Sequence, residues 1–279
     1  MATIVTGAVP DDVTDDKAPV AGLSVRYLRK GAGAPLVFVH DSLGNIGWLP
    51  VYEQLADHFD VIVPDLPGYG ASDRPEWARS PRDLAILTWQ FIDQLGLGAA
   101  TGSAGPVSGL TLAGIGFGGF LAAEMATMRA SSLSRLVLVG PVGIKPRAGE
   151  IADQILRGCV RYGAAGFRDA DSFRQLFGVD TVPDELYQLW DLSNEMTARV
   201  CWKPAMFSLE LPNLLAGLDV PTLIVFGEHD HLVPIDVGHQ YTERLPESRL
   251  EMVTGAGHWI DLEAPERLVE LIVTAPEIT

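Results

Sequence analysis

Apolar positions along the chain fall into two recurring patterns, and the alternation between them predicts the architecture. Residues 23–29 carry Leu23, Val25 and Tyr27 between polar neighbours, the period-two pattern of a half-exposed edge strand. Residues 35–40, 60–65 and 108–115 are short runs rich in Val, Ile or Leu, each ending at or beside Gly, Asp or His. Runs of that kind suit strands buried on both faces of a parallel sheet. Between them, residues 48–58 and 82–97 have helical spacing, the second with Leu84, Leu87, Phe91, Ile92 and Leu95 on one stripe. Strand then helix, repeated, is the signature of parallel strands joined by crossover helices.

After Gly116 the pattern is helical to Met128, then strand-like over 135–139. Residues 143–218 break the alternation with helical periodicity, several glycines and many aromatics, and a clear strand follows at 221–226. The segment is therefore expected to be a helical cap inserted over the sheet. A helix, a strand and a helix, over 235–245, 249–253 and 265–273, close the chain. The expected organisation is a flexible, acidic arm over 1–20, one core made of 21–142 and 219–279, and the cap. Residues 98–105, all Gly, Ala, Ser or Thr and followed by Pro106, read as a flexible surface loop.

Composition narrows the function classes. A length of 279 residues, with 47% hydrophobic and 20% charged, suits one larger α/β unit with ample core. A formal net charge of -16 argues against nucleic acid and anionic lipid as partners, since both require a basic surface. The amino terminus lacks the basic start and apolar run of a signal peptide, and no apolar stretch is long enough to cross a membrane, so a cytoplasmic protein is expected. Cys159 and Cys201 fit neither a disulfide framework nor a metal or redox spacing and are expected to be buried thiols.

Ligands of open parallel sheets bind beyond the carboxyl ends of the strands. Five such ends carry candidate chemistry: His40-Asp41-Ser42-Leu43-Gly44-Asn45; Asp65-Leu66-Pro67-Gly68-Tyr69-Gly70; Gly114-Ile115-Gly116-Phe117-Gly118-Gly119; Gly227-Glu228-His229-Asp230; and Gly255-Ala256-Gly257-His258-Trp259. Together, and in this order, they resemble the α/β-hydrolase family over about residues 23–273. The resemblance implies a mostly parallel sheet flanked by helices with a helical cap. It also implies a nucleophile elbow, Gly-x-Ser-x-Gly, at a strained strand-to-helix turn. Here glycine, Gly116, stands at the nucleophile's place, while Asp230 and His258 keep the places of acid and base.

Without a hydroxyl at 116 no acyl-enzyme forms. What the resemblance leaves is His258 as base, Asp230 as its orienting acid, and the amides of Ser42 and Phe117 as an oxyanion site. Serine-less proteins similar in that one respect occur among natural-product enzymes that isomerise, cyclise or epimerise. The expected function is non-covalent transformation of a small hydrophobic carbonyl compound, a small-molecule or peptide-derived substrate, by proton abstraction or water-mediated cleavage. Two alternatives stand beside it: a conventional ester or amide hydrolase carrying a Ser-to-Gly change at 116, and a non-catalytic binding protein. On this reading Gly116→Ser should create ester hydrolysis, because one member of the unit is missing.

No cofactor and no metal is implied. His229 and His231 flank Asp230, but alternation along an extended segment turns them away from it. His40 is expected to be a hydrogen-bonded structural histidine rather than a catalytic one, and to be among the residues that contact the substrate. Trp190, Trp202 and Phe207 of the cap and Trp259 beside the base are expected to contact the substrate, the remaining cap aromatics dividing between core and lining.

Overall fold

The computed structural model describes residues 9–97, 109–177 and 182–275. The strands are β1 (Thr14–Val20), β2 (Leu23–Gly31), β3 (Pro35–Val39), β4 (Asp60–Pro64), β5 (Leu110–Ile115), β6 (Leu133–Val139), β7 (Thr222–Gly227) and β8 (Ser248–Val253). They form one sheet in the order β1-β2-β4-β3-β5-β6-β7-β8. β1 and β2, and β2 and β4, pair antiparallel; every other neighbour is parallel. Strands β3 to β7 are buried almost throughout, as expected for runs covered on both faces by helices. From β3 the chain goes one way to β4 and then returns to the other side to make β5, so a crevice opens between the carboxyl ends of β3 and β5.

The core helices are α1 (Pro50–Leu55), α2 (Pro81–Gln94) and α3 (Phe117–Arg129), followed by α4 (Gln154–Arg157), α5 (Cys159–Ala165), α6 (Ala170–Phe177), α7 (Asp184–Cys201) and α8 (Leu211–Leu214) of the insertion. After β7 come α9 (Ile235–Arg244), α10 (Ile260–Glu263) and α11 (Pro265–Val273). Helix α2 begins where its sequence directs: the Ser80 hydroxyl accepts from the Asp83 amide, the Asp83 carboxylate accepts from the Ser80 amide, and Pro81 fills the first turn. Its buried face includes Leu84, Leu87, Phe91 and Ile92.

Two expectations need correction at the amino end. Thr14–Val20 is a strand rather than part of a loose arm, and it displaces Leu23–Gly31 from the sheet's edge. The acidic residues that read as a solvated tail are partners for the basic face of β2. Asp15 accepts two hydrogen bonds from Arg26, at 2.7 and 2.8 Å, and Asp12 pairs with Lys30 at 2.7 Å. Ala18 and Val20 turn inward. The small-residue loop over 98–105 lies outside the described residues.

The insertion meets the core at the loop that carries His258. The His258 and Trp259 amides both donate to the Gly166 carbonyl, at 2.7 and 3.2 Å, and the Trp259 indole N–H donates to the Gly163 carbonyl at 2.8 Å. That approach requires a bare backbone: a Cβ on Gly166 would lie 2.1 Å from Trp259 Nε1. Gly166→Ala is therefore expected to push the indole off its carbonyl and lower stability by about 1–3 kcal/mol. Chemical denaturation checks this, and a change within about 0.5 kcal/mol would contradict it. Cys159 and Cys201 are free and buried in this part of the molecule.

Candidate active site

Gly116 closes β5 and caps α3 with φ 53° and ψ -114°, backbone that a residue with a side chain adopts only under strain. Its amide donates to the Val139 carbonyl at 2.8 Å, and its carbonyl accepts from Phe120, so the turn is held from both sides. The sharp strand-to-helix turn expected from Gly114–Gly118 is thus present. Above it lies a feature that sequence reasoning missed. Asp41, in the loop after β3, projects its carboxylate over the turn, where Oδ1 accepts from the Phe117 amide at 2.6 Å. The Ser42 hydroxyl donates to Asp41 Oδ2 at 3.2 Å. A Cβ placed on Gly116 would lie 2.1 Å from Asp41 Oδ1 and 2.8 Å from His258 Nε2.

This arrangement alters two expectations. The Phe117 amide, expected to await a substrate oxyanion, already holds a carboxylate, at the end of α3 where the helix dipole favours negative charge. A Cβ at 116 meets the Asp41 carboxylate, so a serine there requires that side chain to swing off the Phe117 amide.

His258 and Asp230 meet as expected. His258 Nδ1 lies 2.8 Å from Asp230 Oδ2, and Asp230 Oδ1 accepts from the amides of Leu232 and Val233 at 2.9 Å each. With both oxygens committed, Asp230 fixes the plane of the ring and leaves Nε2 facing the turn. His258 is fully buried, and Nε2 has no hydrogen-bond partner. A third carboxyl, Asp261 in the first turn of α10, is also buried, with Oδ1 unpartnered.

Burial by itself would push the proton affinity of His258 down, but the Asp230 carboxylate, and then Asp41 and Asp261, raise it to about 9. Burial raises Asp261 to about 7, against the opposing pull of His258. Asp230, Asp41 and Asp261 thus favour the charged form of the ring, which can donate a proton as well as serve, once neutral, as the base expected from the sequence. A consequence follows for stability. The folded protein keeps a proton on His258 that the unfolded chain, with its ordinary value of 6.5, releases; the stabilisation is complete below pH 6.5 and is lost as the pH rises through about 9. Asp261 acts in the same direction between 3.8 and about 7. The melting temperature is expected to fall between pH 6.5 and 9, and His258→Ala is expected to flatten that slope; an unchanged slope in the variant would refute the assignment.

A cavity of about 480 Å³, its mouth included, opens beside these groups. Asp41, Asp261, His40 and Asn45 are among its polar lining, and Trp190, Trp259 and Phe177 are among its aromatic walls. His40 has the structural role expected of it. Its Nε2 accepts from the Leu66 amide at 3.0 Å, which leaves Nδ1 to donate to the Asp41 carbonyl at 2.6 Å, and burial lowers its proton affinity. Those bonds set the start of the loop that delivers Asp41. Helix α7 braces the same loop, its Thr197 hydroxyl donating to the Ser42 carbonyl at 3.0 Å.

Two expected substrate contacts are corrected. Trp202 lies just beyond α7 and is 57% exposed, because twelve residues after buried Trp190 the helix has turned about 120° away from the core-facing stripe. Phe207 lines a separate cavity with Arg82 and Glu124, under the Lys145 ammonium at 5.9 Å. His229 is half-exposed, 3.8 Å from Glu228, and takes no part in the site.

Fold and site together define the class: the chain belongs to the alpha/beta hydrolase family, whose model matches residues 36–271. It is 27% identical over 271 residues to 2-hydroxymuconate semialdehyde hydrolase of Pseudomonas sp. (strain CF600), covering 90% of each chain. It is 25% identical to 2-hydroxy-6-oxo-6-(2'-aminophenyl)hexa-2,4-dienoic acid hydrolase of Metapseudomonas resinovorans, over 88% of this chain and 84% of that one. Among solved structures, a meta-cleavage product hydrolase of Pseudomonas fluorescens IP01 superposes with a TM-score of 0.72 at 24% identity, over 94% of this chain and 97% of that one. Each of these relatives is named as a hydrolase. Among the described residues, no helix is long and apolar enough to cross a membrane.

Proposed function

We propose that the chain is an enzyme that moves protons at carbon in a small, largely apolar carbonyl compound, without a covalent intermediate, through His258 oriented by Asp230. The observation that carries this reading is His258 Nε2, fully buried and without a partner, facing a turn that offers it no hydroxyl. An imidazolium so placed donates to a carbonyl oxygen and stabilises the enol that forms when the adjacent carbon loses a proton. Proton transfer of this kind serves isomerisation, epimerisation and cyclisation alike.

The lining also bears on substrate class. The relatives are named for dienoic acids and a semialdehyde, yet the described lining here holds two aspartates and no lysine or arginine. A substrate carboxylate would meet like charge in a low-dielectric site. An uncharged aryl ketone suits the aromatic walls. The test is solvent deuterium exchange followed by NMR, comparing neutral 2-tetralone with phenylpyruvate. Exchange above buffer background in the ketone alone is expected; failure with the ketone, or preference for the acid, would refute the reading.

A further inference from the structure

Resting on that reading, the geometry points to Asp41 as the group that stands in for the elbow nucleophile: its carboxylate, delivered from the loop after β3, is the base that takes the substrate's carbon-bound proton. Three observations meet here. Asp41 occupies the space that a side chain on Gly116 would need, with Oδ1 seated on the Phe117 amide. Asp41 lines the cavity and shares the space over Gly116 with His258 Nε2, so base and proton donor meet at one place. The unpartnered Nε2 of His258 and Oδ1 of Asp261 show that polar capacity around Asp41 awaits a ligand.

The two residue choices are thereby linked. Glycine at 116 serves the elbow by making room for a carboxylate from another strand, and the amide that would hold an oxyanion holds the base instead. In the step itself, Asp41 accepts the proton from the carbon next to the carbonyl. The C–H electron pair becomes the C–C double bond of the enol, and the carbonyl oxygen takes the Nε2 proton of His258. Asp41 is left neutral and His258 neutral, and returning a proton to the same or a different carbon restores both. No oxidant, metal or second substrate enters.

The experiment follows deuterium uptake by 2-tetralone with full-length wild type, Asp41→Asn, Asp41→Ala and His258→Ala. Asp41→Asn is close to isosteric, and its side-chain oxygen still accepts from the Phe117 amide, so the turn is retained. Its exchange is expected to fall by about 100-fold or more, the usual contribution of a positioned base. In Asp41→Ala the vacated space faces the cavity, and added formate is expected to restore exchange in a concentration-dependent way, which a packing role would not produce. Exchange by Asp41→Asn at the wild-type rate, with His258→Ala inactive, would overturn the role of Asp41 and leave the proposed function standing. Absence of formate rescue in a folded Asp41→Ala would also count against the assignment. Absence of exchange in the wild type would remove both readings.

Discussion

Gly116→Ser alone is expected to remain inert toward small activated esters, whereas Asp41→Ala/Gly116→Ser is expected to hydrolyse them on the order of 10³-fold faster than wild type. The difference rests on one short distance. With Asp41 present, the new Cβ falls 2.1 Å from its carboxylate oxygen, and the Asp41 side chain must leave the Phe117 amide to admit it. With the carboxylate removed, three things become available together: space at the elbow, the free Phe117 amide as an oxyanion donor, and His258 Nε2 within reach of a hydroxyl. The His258 ring must still move by a few tenths of an ångström, since the Cβ would sit 2.8 Å from it. Loss of Asp41 also lowers the proton affinity of His258, favouring the neutral ring that a serine requires. A fluorophosphonate should label position 116 in the double variant and leave wild type unmodified. Equal ester hydrolysis by the single and double variants would show that Asp41 does not occupy the turn.

The second large effect concerns His258. His258→Ala is expected to lower exchange by about 10²- to 10⁴-fold, because it removes the proton donor to the carbonyl oxygen. Affinity for the ketone should stay within about tenfold, since aromatic walls supply most of the contact. Asp230→Asn should cost less, because the ring remains, but its optimum should move to lower pH as the largest of the carboxylate influences on His258 is lost. Exchange is measured against pH for all three proteins. Equal activity in His258→Ala and wild type would rule out the ring as the proton donor.

Much of this arrangement is legible in the sequence, and the parts that are not share a cause. Buried strands and the order of turn motifs place Gly116, Asp230 and His258 correctly, because each sits where an apolar run ends and backbone geometry alone fixes its position. Thr14–Val20 escapes notice because its partners are the basic residues of β2, a pairing visible only once the sheet is assembled. Asp41 is harder still. It reads as one polar residue in a loop, and its meaning depends on space left by a glycine 75 positions away and held by the Phe117 amide. One signal was available: a charged residue directly after a buried strand and His40, in a chain whose elbow lacks a side chain. Asp261 offers no such signal, since an acid in the first turn of a helix is ordinary. Trp202 and Phe207 fail for the opposite reason: aromatic character marks them, while the helix's rotation and a separate cavity decide where they face.

The central claim is that protons move at carbon in this site without a bond forming between substrate and protein. The most direct test incubates wild-type protein with 2-tetralone in deuterated water and follows both partners, the ketone by NMR and the protein by intact mass. Deuterium is expected to enter the carbon next to the carbonyl faster than in buffer, with the protein free of any adduct throughout turnover. A ketone that exchanges no faster than in buffer, or a protein that gains the mass of the ketone, would contradict it.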